Sequence, residues 1–178
     1  MNRNKIIMGL LLIVFSGQAQ TWQKKNVGNN VYVSFPAEVK YEMKSSNGKN
    51  VAQYASKTDN CLFMVMVLYD VIPNYSNFVN MKQSDQNEII SIYLDNYCKG
   101  KLMYNNSQAV TKKSIVNIYQ ARQLSYSAIN PVSGETGKRF SKSIVVANKL
   151  FSFECWYLNE NPNSQNEKAD FFNSIEIK

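Results

Sequence analysis

The side chains most often used for acid–base and nucleophilic chemistry near neutral pH are absent, because the 178 residues include no histidine. This excludes Ser-His and Cys-His nucleophile pairs, the common histidine-based zinc sites and an imidazole general base. The three cysteines, Cys61, Cys98 and Cys155, form no C-x-x-C motif of the redox or zinc-binding type. We therefore predict a protein that is not an enzyme and that uses no cofactor and no metal.

The thirteen acidic residues are the remaining candidates for catalysis. A glycosidase needs two carboxyl groups on opposite sides of a cleft, and no pair of acids stands out in the sequence. Glu154 lies in an otherwise apolar segment, and it has two interpretations. We favour a solvent-exposed residue on a half-covered sheet, and the alternative is a buried functional acid. A hydrolase that uses carboxylates alone is the third-ranked functional hypothesis.

Basic residues predominate between Asp95 and Glu135, a stretch with no acid. Lys112, Lys113 and Arg122 lie there on or beside neighbouring predicted strands, and they are a possible anion-binding face for acidic lipid or polysaccharide. The alternative, which the scattered spacing favours, is a sheet edge protected by lysines. No aromatic–basic ladder of the RNA-binding kind is present, so nucleic acid is not expected as a partner.

The segment 133–138, SGETGK, has some likeness to a phosphate-binding loop. A P-loop needs a glycine five residues before its Gly-Lys pair and a Ser or Thr after that pair. Val132 and Arg139 occupy those two positions. The segment is also predicted to connect two strands rather than to open a helix, so we interpret it as a hairpin loop.

Residues 1–19 have the three parts of a secretory signal peptide. Arg3 and Lys5 are followed by the apolar run 6–15, and small residues precede a cleavage site after Ala19. The run is too short to span a membrane, and no later segment is long and apolar enough to do so. We predict an exported protein, periplasmic or extracellular, with one globular domain over 20–178. Disulfides can form after export, and the three cysteines allow three pairings, which remain open.

The predicted strands show alternating or continuous apolar patterns. Val31, Val33 and Phe35 alternate with Tyr32 and Ser34, which indicates a half-buried strand. The run 61–69 is apolar on both sides, as in a central strand with both faces covered, and we expect Met66 to be buried there. Further strands are predicted over 51–55, 109–117, 119–128, 138–147 and 149–158. Connections are predicted at 46–49, 58–60, 130–137 and 148–149.

Two helices are predicted from capping signals. Asp85 and Glu88 have the spacing of an N-cap and its third residue, so a helix is expected over 85–99, with Gly100 at its end. Ser164 and Glu167 have the same spacing at the start of a second helix. That helix is expected to carry three side chains into the core, those of Ala169, Phe171 and Phe172. Segregated strands with two helices indicate an α+β domain around an antiparallel sheet flanked by helices.

The segment 31–36 (VYVSFP), the Gly48 turn, the run 61–69, the strand pairs within 109–158 and the terminal 171–175 together resemble small exported bacterial domains of the PsbP-like fold. That fold is an α/β/α sandwich, and it also includes a lumenal subunit of plant photosystem II and a nuclear-transport factor. The resemblance implies a non-catalytic role in binding or assembly. The resemblance assigns no functional residue to this chain, since the histidine-based metal sites of the photosystem subunit have no counterpart here.

The leading functional hypothesis is an exported, non-enzymatic domain that binds a partner protein in the cell envelope. The alternative is a binder of a small apolar or anionic ligand, held in a pocket between the sheet and a helix. The sequence does not identify the partner, the ligand or the oligomeric state.

Overall fold

The computed structural model describes residues 21–46, 49–103, 109–129 and 134–178. The predicted signal peptide, 1–19, lies outside these ranges. So do residues 47–48 and 130–133, which belong to two of the predicted connections.

The larger sheet has seven antiparallel strands in the order β3-β4-β5-β9-β8-β7-β6. Their bounds are β3 Lys40–Ser46, β4 Lys49–Lys57, β5 Cys61–Tyr69, β6 Val110–Val116, β7 Tyr119–Ile129, β8 Thr136–Val146 and β9 Lys149–Tyr157. The apolar run 61–69 forms β5, which is hydrogen-bonded to β4 on one side and to β9 on the other. The prediction of an internal strand is therefore confirmed, as are the four strand predictions between 109 and 158.

A second, smaller sheet contains β1 (Gln23–Gly28), β2 (Val31–Phe35) and β10 (Glu176–Ile177), with β2 in the middle. The sequence predicted β2, but it did not predict β1, whose first four residues are exposed and show no apolar alternation. It also missed β3, which forms a hairpin with β4. The end of the chain supplies β10, which pairs with β2.

Three helices complete the described structure: α1 (Tyr75–Phe78), α2 (Gln83–Met103) and α3 (Pro162–Asn173). Helix α2 is longer than predicted at both ends. Asp85 lies in its first turn rather than at the cap, and the helix continues through Gly100. Gly100 does not adopt the positive φ of a helix-ending glycine, so the helix extends to place Lys101 over the sheet.

Helix α3 begins earlier than predicted because a different pair of residues caps it. The Asn161 side-chain oxygen accepts a hydrogen bond from the backbone amide of Ser164 at 3.0 Å. The Ser164 hydroxyl accepts one from the backbone amide of Asn161, also at 3.0 Å. The predicted partner Glu167 instead accepts hydrogen bonds from the 58–60 turn. Phe171 is fully buried as predicted, whereas Phe172 is half-buried and Ala169 is exposed.

The larger sheet has two differently covered faces. Helix α2 packs on β7 and β8 on one face, which we call the α2 face. Helix α3 lies on the opposite face, the α3 face, where Phe171 contacts Phe63 and Phe35. Met66 is on the α2 face and is half-buried rather than buried. Helix α2 packs mainly on β7 and β8, so this face of β5 is only partly covered, and Met64 is buried there while Met66 is not. The observed architecture is α+β with antiparallel sheets. None of the described helices is long and apolar enough to cross a membrane.

Candidate functional site

The three residues of the predicted anion-binding face do not share one face of the sheet. In the register of β6 and β7, Lys113 is opposite Arg122, and Lys112 is opposite Gln123. Because side chains alternate along a strand, Lys113 and Arg122 belong to the α2 face and Lys112 belongs to the α3 face. Strand β6 is the last strand in the sheet order, and both of its lysines are exposed. Both lysines therefore lie on an edge strand, one on each face of the sheet.

Arg122 is buried, with 2% of its surface exposed, and it belongs to a structural ion pair. Its Nε donates to Asp95 Oδ1 at 2.5 Å, and its Nη2 donates to Asp95 Oδ2 at 3.1 Å and to Ser91 Oγ at 2.7 Å. These bonds from the guanidinium hold the pKa of the Asp95 carboxyl below its ordinary value. Arg122 is therefore no exposed cation for an anion, because its position in β7 places it beneath α2.

Glu154 is also buried on the α2 face, so the favoured interpretation of an exposed acid is wrong. Its Oε1 accepts hydrogen bonds from Lys101 Nζ at 2.5 Å and from Ser152 Oγ at 3.3 Å. Its Oε2 accepts one from Trp156 Nε1 at 3.0 Å. Helix α2 covers the strand at this point, which the apolar pattern of the segment did not reveal.

The Lys101–Glu154 pair has the properties of a structural element rather than a catalytic one. Burial by itself lowers the pKa of the Lys101 ammonium, but the Glu154 carboxylate beside it holds that pKa above its ordinary value. The side chains of Lys101 and Glu154 are only 13% and 3% exposed, which leaves no access for a substrate. The hypothesis of a carboxylate-based hydrolase gains no support from this site.

The cysteines lie on both faces of the sheet, and all three are buried free thiols. Cys98 belongs to α2, whereas Cys61 and Cys155 are on the α3 face of neighbouring strands. The sheet therefore separates Cys98 from the other two. A hydrogen bond with Cys61, together with burial, raises the pKa of the Cys155 thiol far above its ordinary value. Such a thiol is a poor nucleophile, because the thiolate is the reactive form.

A pocket of about 490 Å³ lies on the α3 face, between α3 and strands β6, β7 and β8. Its floor consists of two rows of side chains that run across the three strands in register. The first row is Lys112, Gln123 and Lys142, and the second row is Val110, Ser125 and Phe140. We call these the cationic row and the apolar row.

Helix α3 provides the opposite wall of the pocket with Lys168, Ala169, Phe172 and Asn173. The spacing of 168, 169, 172 and 173 places these residues on one side of a helix. The capping box at Asn161 and the buried Phe171 fix the position of that helix against the sheet. Two half-buried aromatic rings, Phe140 and Phe172, therefore line the pocket together with three lysines.

The charge in this pocket is positive and has no compensating acid among the described lining residues. None of the pocket lysines Lys112, Lys142 and Lys168 takes part in an ion pair of the described structure. Lys142 Nζ has one hydrogen bond, at 3.4 Å, to the Phe172 carbonyl oxygen, and burial lowers the pKa of its ammonium. Lys168 Nζ lies 4.3 Å from the centre of the Phe140 ring. The arrangement attracts an anion that approaches apolar surface.

Sequence reasoning found Lys112 and missed Lys142 and Lys168. A signal for Lys142 was present, since it interrupts the apolar alternation of Phe140, Ile144 and Val146 along β8. Lys168 lines the same pocket as Lys142 only because α3 packs against the sheet, so it had no local signal in the sequence.

Metal binding has no visible basis in the part of the chain that the structure describes, where no three His, Cys, Asp or Glu residues are grouped as possible ligands. The chain matches no protein-family model and no curated protein sequence. The pocket lined by Lys112, Lys142 and Lys168 is therefore the feature of this structure that bears on function.

Proposed function

We propose that the protein is an exported, non-enzymatic binding domain that holds a small anionic ligand in the pocket between β6–β8 and α3. The observation that carries this proposal is the half-buried Lys142 ammonium, flanked by Lys112 and Lys168, with no acid among the described lining residues. Burial disfavours the charged form of the Lys142 ammonium, and a bound anion would offset that cost. The ligand-binding alternative from the sequence is therefore preferred to the partner-binding hypothesis.

Partial burial of the site should strengthen its binding of an anion. Exposed lysines are well hydrated and screened by salt, so they bind anions weakly. A hydrogen bond that involves a charged group contributes about 1.5–3 kcal/mol, and it is stronger where water is partly excluded. Lys142 has one long hydrogen bond to the Phe172 carbonyl oxygen and lies 5.6 Å from the centre of the Phe172 ring, with no acidic partner in the described structure, so an oxyanion would gain most of its binding energy at this residue.

Isothermal titration calorimetry tests the proposal with a panel of anions: inorganic phosphate, acetate, octanoate and octyl phosphate. We expect at least one to bind, and Lys142→Met to weaken its binding by at least about tenfold. Lys113→Met is the matched control, because Lys113 is an exposed lysine on the opposite face of the same strands. If no anion of the panel binds, or if the Lys113 variant weakens binding as much as the Lys142 variant, the proposal is wrong.

Export and the PsbP-like fold remain part of the proposal. A cleaved N-terminus at or near Gln20, measured by mass spectrometry of the protein from the cell envelope, would support export, whereas retention of residues 1–19 would contradict it. The placement of helices on both faces of the larger sheet is compatible with an α/β/α sandwich of the PsbP-like kind. A binding role agrees with what that resemblance implies.

A partner protein in the cell envelope is the second candidate, and the outermost strand β6 favours it. Three apolar side chains in and just after this strand are exposed: Val110 by 58%, Ile115 by 71% and Ile118 by 86%. An outer strand can bind an extended segment of another protein by strand addition. Crosslinked pull-down from the envelope should then give a stoichiometric partner that Ile115→Lys loses, and an unchanged yield with this variant would exclude β6 as the docking strand.

A further inference from the structure

We infer that the ligand is an amphiphile, with one oxyanion headgroup bound at the cationic row and an apolar chain or ring held against Phe140 and Phe172. This inference rests on the proposed function and specifies the chemical class of ligand at the same pocket. It follows from the placement of ammonium groups directly beside apolar surface in the pocket, where Lys168 Nζ lies 4.3 Å from the centre of the Phe140 ring and Lys142 Nζ lies 5.6 Å from that of Phe172.

The cationic row has the dimensions of a site for a single oxyanion. Neighbouring strands are about 4.8 Å apart, so the backbones at Lys112 and Lys142 are separated by roughly 10 Å with Gln123 between them. Two long lysine side chains can converge over that distance on one group above the Gln123 amide. The amide adds neutral hydrogen-bond donors to the two ammonium groups. A carboxylate, a sulfate or a phosphate monoester satisfies this set of donors.

The apolar row lies two residues away along each strand, about 7 Å from the cationic row. It contains Val110 and Phe140, and α3 adds Phe172 from above. Val110 is 58% exposed and both rings are half-buried, so apolar surface remains open to water beside the charged groups. A ligand that covers this surface gains the free energy of burying it.

An inorganic ion does not fit the pocket as well as an amphiphile does. It would engage the cationic row and leave the apolar row uncovered, in a pocket of about 490 Å³. Pockets of about 300–1,000 Å³ are typical of sites for organic ligands. A polyanion is also disfavoured, because the neighbouring cation Lys113 lies on the opposite face and does not extend the cationic row.

The experiment compares ligands that share a headgroup and differ in the apolar part. By calorimetry, octanoate should bind at least about tenfold more tightly than acetate, and octyl phosphate more tightly than inorganic phosphate. The Lys142→Met variant should weaken binding of both members of each pair. Equal, Lys142-dependent binding of acetate and octanoate, and of the two phosphates, would overturn the amphiphile and leave the proposed function intact. Absence of all binding would overturn both.

Two variants test the apolar row. Phe172→Ala should reduce octanoate binding more than acetate binding, and so remove most of the preference for octanoate. Because Phe172 also contacts the buried Phe171, Val110→Ser is a second variant at an exposed position, and it should weaken octanoate binding several-fold. Lys113→Met is the control for both. If neither variant changes the preference for octanoate in a protein with an unchanged melting temperature, the apolar row is not the site of the chain.

The same chemistry is offered by free amphiphiles and by membrane lipids, and a vesicle assay separates the two sources. Protein that sediments with phosphatidylglycerol vesicles, but not after Phe172→Ala or Val110→Ser, takes its ligand from a membrane. Binding of free octanoate or octyl phosphate without sedimentation indicates a free amphiphile. Sedimentation that both variants retain, without any binding of free amphiphile, would reflect surface charge alone and would overturn the inference.

Discussion

The two faces of the larger sheet differ in whether a buried cation has an acidic partner. On the α2 face, each buried cation has a carboxylate partner within 2.5 Å: Lys101 with Glu154, and Arg122 with Asp95. On the α3 face, the half-buried Lys142 has neither an acid beside it nor a strong hydrogen bond in the described structure. Both faces contain lysine or arginine under a helix, so burial alone does not distinguish them.

The difference indicates which cations hold the fold together and which are available to a ligand. A paired buried charge has its electrostatic partner within the protein, and the loss of that partner is costly. A half-buried charge without an acidic partner destabilises the folded protein, and binding of an anion can remove that destabilisation. Each face therefore predicts its own response to the removal of a charge.

The largest effect is expected from Glu154→Gln on the α2 face. This change leaves the buried Lys101 ammonium without the carboxylate that it contacts at 2.5 Å, and the free energy of unfolding should fall by about 3–5 kcal/mol. Urea denaturation measures the loss. Adding Lys101→Met to Glu154→Gln should restore much of it, since the buried charge is then also removed.

The matched control for that prediction is Glu160→Gln, because Glu160 forms an exposed ion pair with Lys138. Exposed pairs contribute about 0–1 kcal/mol, so this variant should remain close to the wild type. Similar losses for Glu154→Gln and Glu160→Gln would contradict the distinction between a buried and an exposed pair.

A smaller loss is expected from Asp95→Asn, which removes the carboxylate beside the buried Arg122. Asp95 is 39% exposed, so water can replace part of the interaction, and we expect a loss of about 1.5–3 kcal/mol. Because the folded-state pKa of Asp95 is lowered, its contribution is present above the ordinary carboxyl pKa and is lost as the pH falls through the folded-state value. Urea denaturation from pH 7 to acid should show this loss in the wild type, and the variant should lack it.

The opposite effect on the free energy of unfolding is expected from Lys142→Met on the α3 face. Replacing a half-buried cation that lacks an acidic partner should leave the free energy of unfolding unchanged or raise it by up to about 1 kcal/mol, while anion binding is lost. The folded-state pKa of Lys142 is lowered. Its destabilising effect is therefore present below that pKa and disappears as the pH rises through it.

Thermal melts of the wild type and of Lys142→Met without added anion, at pH 7 and at alkaline pH, check this prediction. A large loss of stability in the variant at pH 7 would show that Lys142 stabilises the fold, and would contradict the prediction.

The smallest effect on stability is expected for the two neighbouring lysines of β6. Lys112→Met and Lys113→Met should each change the free energy of unfolding by less than about 0.5 kcal/mol, because both side chains are exposed. Only Lys112→Met should weaken anion binding, by several-fold, since only Lys112 lies on the α3 face. Equal effects of the two variants on binding would remove the distinction between the faces at this strand.

Much of the secondary structure could be predicted from local patterns, because strand alternation and helical spacing arise from backbone geometry. The strands between 109 and 158 and the apolar run of β5 have such patterns. The predictions that failed depended on neighbours distant in the chain. The exposed-acid interpretation of Glu154 failed because α2 covers it, and Gly100 did not end α2, which extends to bring Lys101 to that acid. The α3 cap moved to Asn161, and Glu167 was drawn to the 58–60 turn.

The sequence by itself determined the absence of histidine chemistry, the apolar core strands and the basic, acid-free stretch between Asp95 and Glu135. These are properties of composition and of local periodicity, which do not depend on how distant segments meet. Only the tertiary structure decided which lysines line the pocket. Strand register places Lys112 on the α3 face and its neighbour Lys113 on the α2 face, and the packing of α3 brings Lys168 and Phe172 to Lys142. A binding pocket is formed by such long-range contacts, so no local pattern in the sequence contains it.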